Sequence, residues 1–432
     1  MTYNKGRLFF VSLLALATAG ISFAIRGSIG DDLQSAFFNN SAELMGGAIG
    51  IAGLGYALTI AIGSPMLDYL GMGNLLSLSS VLFMIGTLVV MFAGSIASGP
   101  AVQNVVWFGM LITGVGWGLV ETVINPLIVT LYPDEKTSRL NILHAWWPGG
   151  IIIGGVIGLL IGQMNMNWQA KMSIVLIPAV ATLILCVTSK FPPTERIAAG
   201  LPASVMFKEV TRPFFLVWFF AMFLTAASEL APGQWVNFAL SETVHMPAIL
   251  LLVYVSGLMF VMRHFAGPLV HKLSPAGLLW LSSLLAGAGL YLLSIANSPV
   301  TGLLAATVWG TGVCYMWPTM LAAASERFPR GGALLMGLMG TAGMLSLYFV
   351  LPLLGRIYDS AKISIAGGAD AFAKMTAEQQ KPILAQAGQM SFRYVSMVPL
   401  ALLVIFGAIW FYDRSRGGYK AETIATSTAS GD

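Results

Sequence analysis

The chain has 432 residues, 57% hydrophobic and only 9% charged, with a mean hydropathy of +0.81 and a formal net charge of +4. Soluble domains carry about 25% charged residues, so this composition excludes a surface that mainly faces water. The sequence pI near 9.0 reflects basic loops and not a nucleic-acid patch, and Cys186 and Cys314, both inside apolar runs, give neither a disulfide framework nor metal-ligand spacing.

Apolar runs near 20 residues follow one another along the chain, each long enough to cross a hydrocarbon layer about 30 Å thick. Backbone groups in lipid must bond within their own element, so each run is expected to be a helix. The first, 8–37, follows "MTYNKGRLFF", which resembles a signal peptide. Its apolar run is too long and lacks a small-residue cleavage site, so an uncleaved first helix is expected. Spans at 45–67, 75–95, 102–131, 140–162 and 171–189 follow. A polar, proline-bearing stretch at 190–212 then interrupts the pattern. Further spans are expected at 213–240, 247–270, 276–296, 300–327, 332–357 and 391–412. The reading is an all-α membrane protein of twelve transmembrane helices. An amino-terminal six-helix bundle covers 1–189, a linker 190–212, and a second bundle with a short tail 213–432. Lys and Arg fall mainly in the loops that share a side with both termini, apart from Lys362, Lys374 and Lys381 in 358–390. That asymmetry places the termini in the cytoplasm, with a bacterial inner membrane as the expected location.

The two halves carry a faint internal repeat. "GSPMLDYLGM" at 63–72 aligns with "AGPLVHKLSP" at 266–275, and "GVGWG" at 114–118 with "GTGVC" at 310–314. Repeats of this kind in transporters flank a substrate site near mid-membrane. The first alignment sets Arg26 over Glu229, which predicts that they face each other across the pseudo-twofold axis. Both precede helix-weakening residues, Gly27 and Gly30 in one half, Pro232 and Gly233 in the other. A break is expected in each helix there.

Ionisable groups inside spans are costly and functional by default. Glu121 lies near the middle of "GLVETVINPLIV", where a carboxyl can serve as a proton carrier or as a fixed structural partner of Arg26. Arg26 can bind an anion, donate to sugar hydroxyls or neutralise Glu121. Glu229 divides between gating with Arg26 and substrate binding. Arg263 reads as structural, snorkelling to its helix end, and His144 as a structural histidine first and a proton relay second. Trp147, Trp235, Tyr315 and Trp317 lie deep, and Gln234, Trp235 and Asn237 combine ring faces with hydrogen-bonding groups, which favours a polar substrate.

The segment "LVETVINPLIVTLYPDEKTSRLNILHAWWPGG" resembles the fourth and fifth helices of the fucose–galactose–glucose:proton symporter family of the major facilitator superfamily. The frame is Glu121-Thr122, Asn125-Pro126, Leu131, Pro133 and Arg139-Leu140-Asn141. The resemblance implies proton coupling and sugar contact at Glu121 and sugar contact at Asn125. It also implies gating by Asp68, in the reduced loop "SPMLDYLGMGN", and by Arg139. Two features depart from the family: Arg26 and Gly27 occupy the slot of an acidic residue in the first helix, and the loop after helix two lacks its basic residues. Candidate substrate-binding residues are thus Arg26, Glu121, Asn125, Glu229, Gln234, Trp235, Asn237, Tyr315 and Trp317. The expected activity is proton-coupled uptake of a monosaccharide by alternating access, with no cofactor, metal or catalytic residue and with a monomer favoured. The alternative is a carrier of a sugar acid or other organic anion clamped by Arg26. A drug–proton antiporter lacks its usual glycine-proline signature in "HAWWPGGIIIGG", and a non-transporting sensor lacks a soluble domain.

Overall fold

The computed structural model describes residues 3–132, 136–193, 203–247, 249–264 and 267–420, and these contain helices and no strand. Eleven stretches are long and apolar enough to cross a membrane, and Ile249–Arg263 is a shorter apolar helix between two of them. In chain order we label α1 (Lys5–Ser28), α2 (Ala42–Leu70), α3 (Met72–Met91), α4 (Ala101–Leu131), α5 (Lys136–Gln163) and α6 (Trp168–Val187). After a short helix at Ala203–Val210 come α7 (Pro213–Val244), α8 (Ile249–His264), α9 (Gly267–Leu293) and α10 (Pro299–Val313, then Met316–Arg327). The chain ends with α11 (Gly332–Ala366) and α12 (Ala377–Val395, then Val398–Ser415). Of the linker expected at 190–212, positions 194–202 lie outside the described residues.

Helices α1 to α6 pack mainly among themselves, as do α7 to α12, except that α2, α8 and α11 make their most extensive contact with a helix of the other set. The three most extensive contacts that join the two sets are α2 with α11, α5 with α8, and α1 with α7. The α2–α11 seam is the most intimate because Gly46, Gly50 and Gly53 let the backbones touch. A Cβ at Gly50 would sit 2.7 Å from the Leu347 carbonyl oxygen. At one end of this seam Arg356 donates to Glu43 at 2.8 and 3.2 Å, and the Glu43 amide donates to Asp359 at 3.0 Å. An α11 carboxylate therefore caps the positive end of α2.

The internal repeat is visible in the backbone. Gly71, which ends α2, has φ 79° and ψ 138°, and its aligned residue Ser274 has φ 58° and ψ 160°. Both turns have the same unusual shape, with glycine in one and a strained serine in the other.

The expected helix breaks take a milder form. The first span bends at Ile29, whose amide still bonds the Ile25 carbonyl at 3.1 Å. Helix α7 runs unbroken through Pro232 and Gly233, correcting the break expected there. Proline removes the donor that would satisfy the carbonyl four residues back, here Ser228, and Trp309 Nε1 supplies one instead at 3.0 Å. A neighbouring helix thus repairs the ladder. The stretch 358–390, read as a loop, is largely helical. It extends α11 to Ala366 and starts α12 at a Thr376–Gln379 capping box.

Candidate functional site

The three contacts between the two sets of helices surround a small cavity. Aromatic faces form one wall. Trp117 of α4 and Trp147 of α5 stack with centroids 4.6 Å apart and planes 11° apart. Phe23 of α1 and Tyr56 of α2 meet this pair edge-on, at 5.1 Å from Trp147 and 5.0 Å from Trp117 respectively. Trp317, Leu230 and Met344 close the cavity from α10, α7 and α11. Its volume is about 30 Å³, room for roughly two waters, so the helices must separate to admit anything as large as a hexose.

Glu121, His144, Glu229 and Arg263 supply the polar lining. Glu121 and Asn125 lie one turn apart on α4, which puts them on one face, and Asn125 Nδ2 donates to Glu121 Oε2 at 3.0 Å. The amide oxygen then faces His144 Nε2 at 2.9 Å, so the imidazole donates from Nε2. On the other side Arg263 Nη2 lies 3.7 Å from Glu229 Oε1. Its Nε donates to the Cys314 carbonyl and its Nη1 to the His144 carbonyl, both at 3.1 Å. Glu229 Oε2 is buried without a hydrogen-bond partner.

These contacts redraw the pairing expected from the repeat. Glu229 pairs with Arg263 and not with Arg26, because its side chain turns toward α8. Arg26 is buried, its guanidinium lies 5.8 Å from the Trp117 ring centroid, and its Nε lacks a partner. Neither Arg26 nor Glu121 makes an ion pair among the described residues, so they are not the fixed couple that was one reading of Glu121. Arg263, expected to snorkel, is buried in the cavity wall. His144, read first as structural and second as a proton relay, also lines it.

Other candidates are brought less close. Gln234 Nε2 reaches across to the Phe23 carbonyl at 2.7 Å, leaving its Oε1 buried and unpartnered. Trp235 packs edge-on against Tyr358 at 6.3 Å, and the Tyr315 hydroxyl donates to the Met262 carbonyl at 3.1 Å; neither lines the cavity. Arg139 lies over the rings of Tyr132 and Phe9, 4.6 and 5.8 Å from their centroids. The side chains of Asp68 and Asn237 lie outside those described. Sequence reasoning missed Trp117 and Tyr56. The signal available was their α-helical spacing to cavity residues: Trp117 stands one turn before Glu121.

The family model for the Major Facilitator Superfamily matches residues 8–350. The chain belongs to this superfamily. No curated protein sequence matches it. Among solved structures it is similar to a D-xylose–proton symporter, at a TM-score of 0.71 and 17% identity over 90% of this chain and 97% of that one. It is similar to the nucleoside transporter NupG at 0.70 and 14%, over 94% and 99%. It is also similar to FucP in its outward conformation at 0.58 and 16%, over 93% and 99%. At such identities the likeness is one of fold. Sugar and nucleoside carriers match alike, so the substrate must be argued from the cavity.

Proposed function

We propose that the protein takes up a monosaccharide together with a proton by alternating access, in a bacterial inner membrane with both termini cytoplasmic. The observation that carries this reading is Glu121, a buried carboxyl on the cavity wall held by Asn125 and without an ion-pair partner among the described residues. A carboxylate in low dielectric without a cation is costly, and a proton is the simplest ligand that relieves it. The stacked tryptophans offer a flat face to the C–H side of a sugar ring. The orphaned Glu229 Oε2 and Gln234 Oε1 call for donors such as hydroxyls, since an unmet buried acceptor costs about 1–3 kcal/mol.

In the proposed cycle, substrate and a proton on Glu121 together permit the amino-terminal bundle (1–189) and the carboxy-terminal bundle (213–432) to rock about the cavity. Release of both lets the unloaded carrier return. The test is uptake of labelled pentoses and hexoses by proteoliposomes under an imposed pH step. Accumulation against a gradient supports the reading, and none for any monosaccharide sinks it. One observation favours a second reading, a carrier of sugar acids: Arg26 is a buried guanidinium with an unmet donor. A carboxylate would dock on its planar fork. Tighter binding of a uronic acid than of its hexose, weakened by Arg26→Lys, would favour that reading.

A further inference from the structure

Proline cannot donate to the carbonyl four residues before it. Pro148 in α5 therefore orphans the His144 carbonyl, and Pro318 in α10 orphans that of Cys314. Both of these carbonyls are taken by one side chain, Arg263 of α8, at 3.1 Å each. His144 belongs to the first set of helices, and Cys314 and Arg263 to the second. Arg263 thus ties the halves together through two backbone gaps that prolines leave open. The tie is charged and buried, and Glu229, at 3.7 Å, is its counter-ion among the described residues. The same His144 whose carbonyl is gripped uses its ring to hold Asn125, which holds Glu121. A continuous line of contacts therefore runs from Glu229 to Glu121 across the seam.

We infer that Arg263 is a positioning residue of the transport cycle: it latches α5 to α8 through the His144 carbonyl and lets go when Glu229 is neutralised by a proton or engaged by a substrate hydroxyl. The inference rests on the transport reading above and specifies how the occupied site would open. Removing one partner of a buried ion pair leaves the other charge uncompensated and strongly destabilises its position. Arg263 is the penultimate residue of α8, so without Glu229 it can swing toward the helix end. The other titratable or charged groups around this cluster are His144 on α5, Glu121 on α4, Tyr56 on α2, Cys314 and Tyr315 on α10 and Arg26 on α1. Among the described residues, Glu229 is the carboxylate within ion-pair distance of Arg263.

The test reads α5–α8 separation directly. Gly149 of α5 faces the Phe260 ring of α8, with 3.6 Å of room for a Cβ. Gly149→Cys, in full-length protein carrying Cys186→Ser and Cys314→Ala, is labelled with a maleimide in detergent without substrate. The latch predicts that Arg263→Gln and Glu229→Gln each speed labelling by about tenfold or more. Pro148→Ala alters no charge but gives position 148 an N–H for the His144 carbonyl, and it should speed labelling too. Combined with Arg263→Gln it should add nothing further, since both remove one contact. Labelling at the parent rate in Arg263→Gln, or additive effects of Arg263→Gln and Pro148→Ala, would overturn the inference. If Arg263→Gln fails to fold, the Pro148→Ala and Glu229→Gln arms still decide: unchanged labelling in both overturns it. The measurement needs no sugar or gradient. Failure of the monosaccharide reading would therefore show as absent uptake with the labelling pattern intact.

Discussion

Gly50→Ala probes whether the α2–α11 seam is a moving contact. The added methyl would lie 2.7 Å from the Leu347 carbonyl oxygen and 3.2 Å from the Tyr348 Cα. Both neighbours are backbone and cannot rotate away, so the closed seam should be disfavoured by about 1–3 kcal/mol, the usual range for overpacking. Alanine also favours helix over glycine by about 1 kcal/mol, but that gain is present whether the seam is open or shut and cancels. The open population should then rise roughly 5- to 150-fold. Met344 borders both the seam and the cavity. Maleimide labelling of a Met344→Cys chain lacking Cys186 and Cys314 therefore reports opening. Gly257→Ala is the control, since a Cβ there meets nothing within 4 Å. The reasoning is refuted if Gly50→Ala labels and melts like its parent.

Trp117→Phe should weaken monosaccharide binding about 2- to 10-fold by calorimetry, the worth of one aromatic contact of roughly 0.5–1.5 kcal/mol. Trp117→Ala should in addition lower stability by about 3–5 kcal/mol. Arg327 and Asp413 form a buried bidentate pair at 3.1 and 2.5 Å. Asp413→Asn strands the guanidinium and should cost about 3–5 kcal/mol in denaturant titrations, while Arg327→Met with Asp413→Leu should recover most of it. Beyond α12, Tyr419 lies over Arg327 and donates to Glu326. Burial, reinforced by that hydrogen bond, pushes its phenol well above the ordinary value. A raised folded value favours the protonated form, so this anchoring is fully present below about pH 10 and is lost as pH climbs further. Protease protection of the 415–420 segment should follow that course, and Tyr419→Phe should abolish the hydrogen-bonded part at every pH.

Membrane insertion and the helical class were legible because they follow from composition and run length alone. Glu121 and Asn125 were legible because a four-residue spacing on a helix fixes a shared face. Depth was not. Arg263 read as interfacial because it lies near the end of its span, and α8 does end at His264, but that end sits in the cavity wall beside Glu229. His144 read as shallow because α5 was started at 140, whereas it begins at Lys136. The Arg26–Glu229 pairing failed for a different reason. A repeat equates positions along two chains, not the directions of their side chains, and Glu229 faces α8. Pro232 and Gly233 promised a break that Trp309 repairs from another helix, a contact that no local pattern encodes.

The central claim is that sugar and proton move together through Glu121. It is tested most directly by adding a monosaccharide that binds the protein to proteoliposomes in weakly buffered medium and recording external pH. The account predicts sugar-evoked alkalinisation with the native chain. With Glu121→Gln, which keeps the Asn125 contact but cannot carry the proton, alkalinisation should vanish while exchange of labelled for unlabelled sugar continues. Alkalinisation of the same size in Glu121→Gln would contradict it.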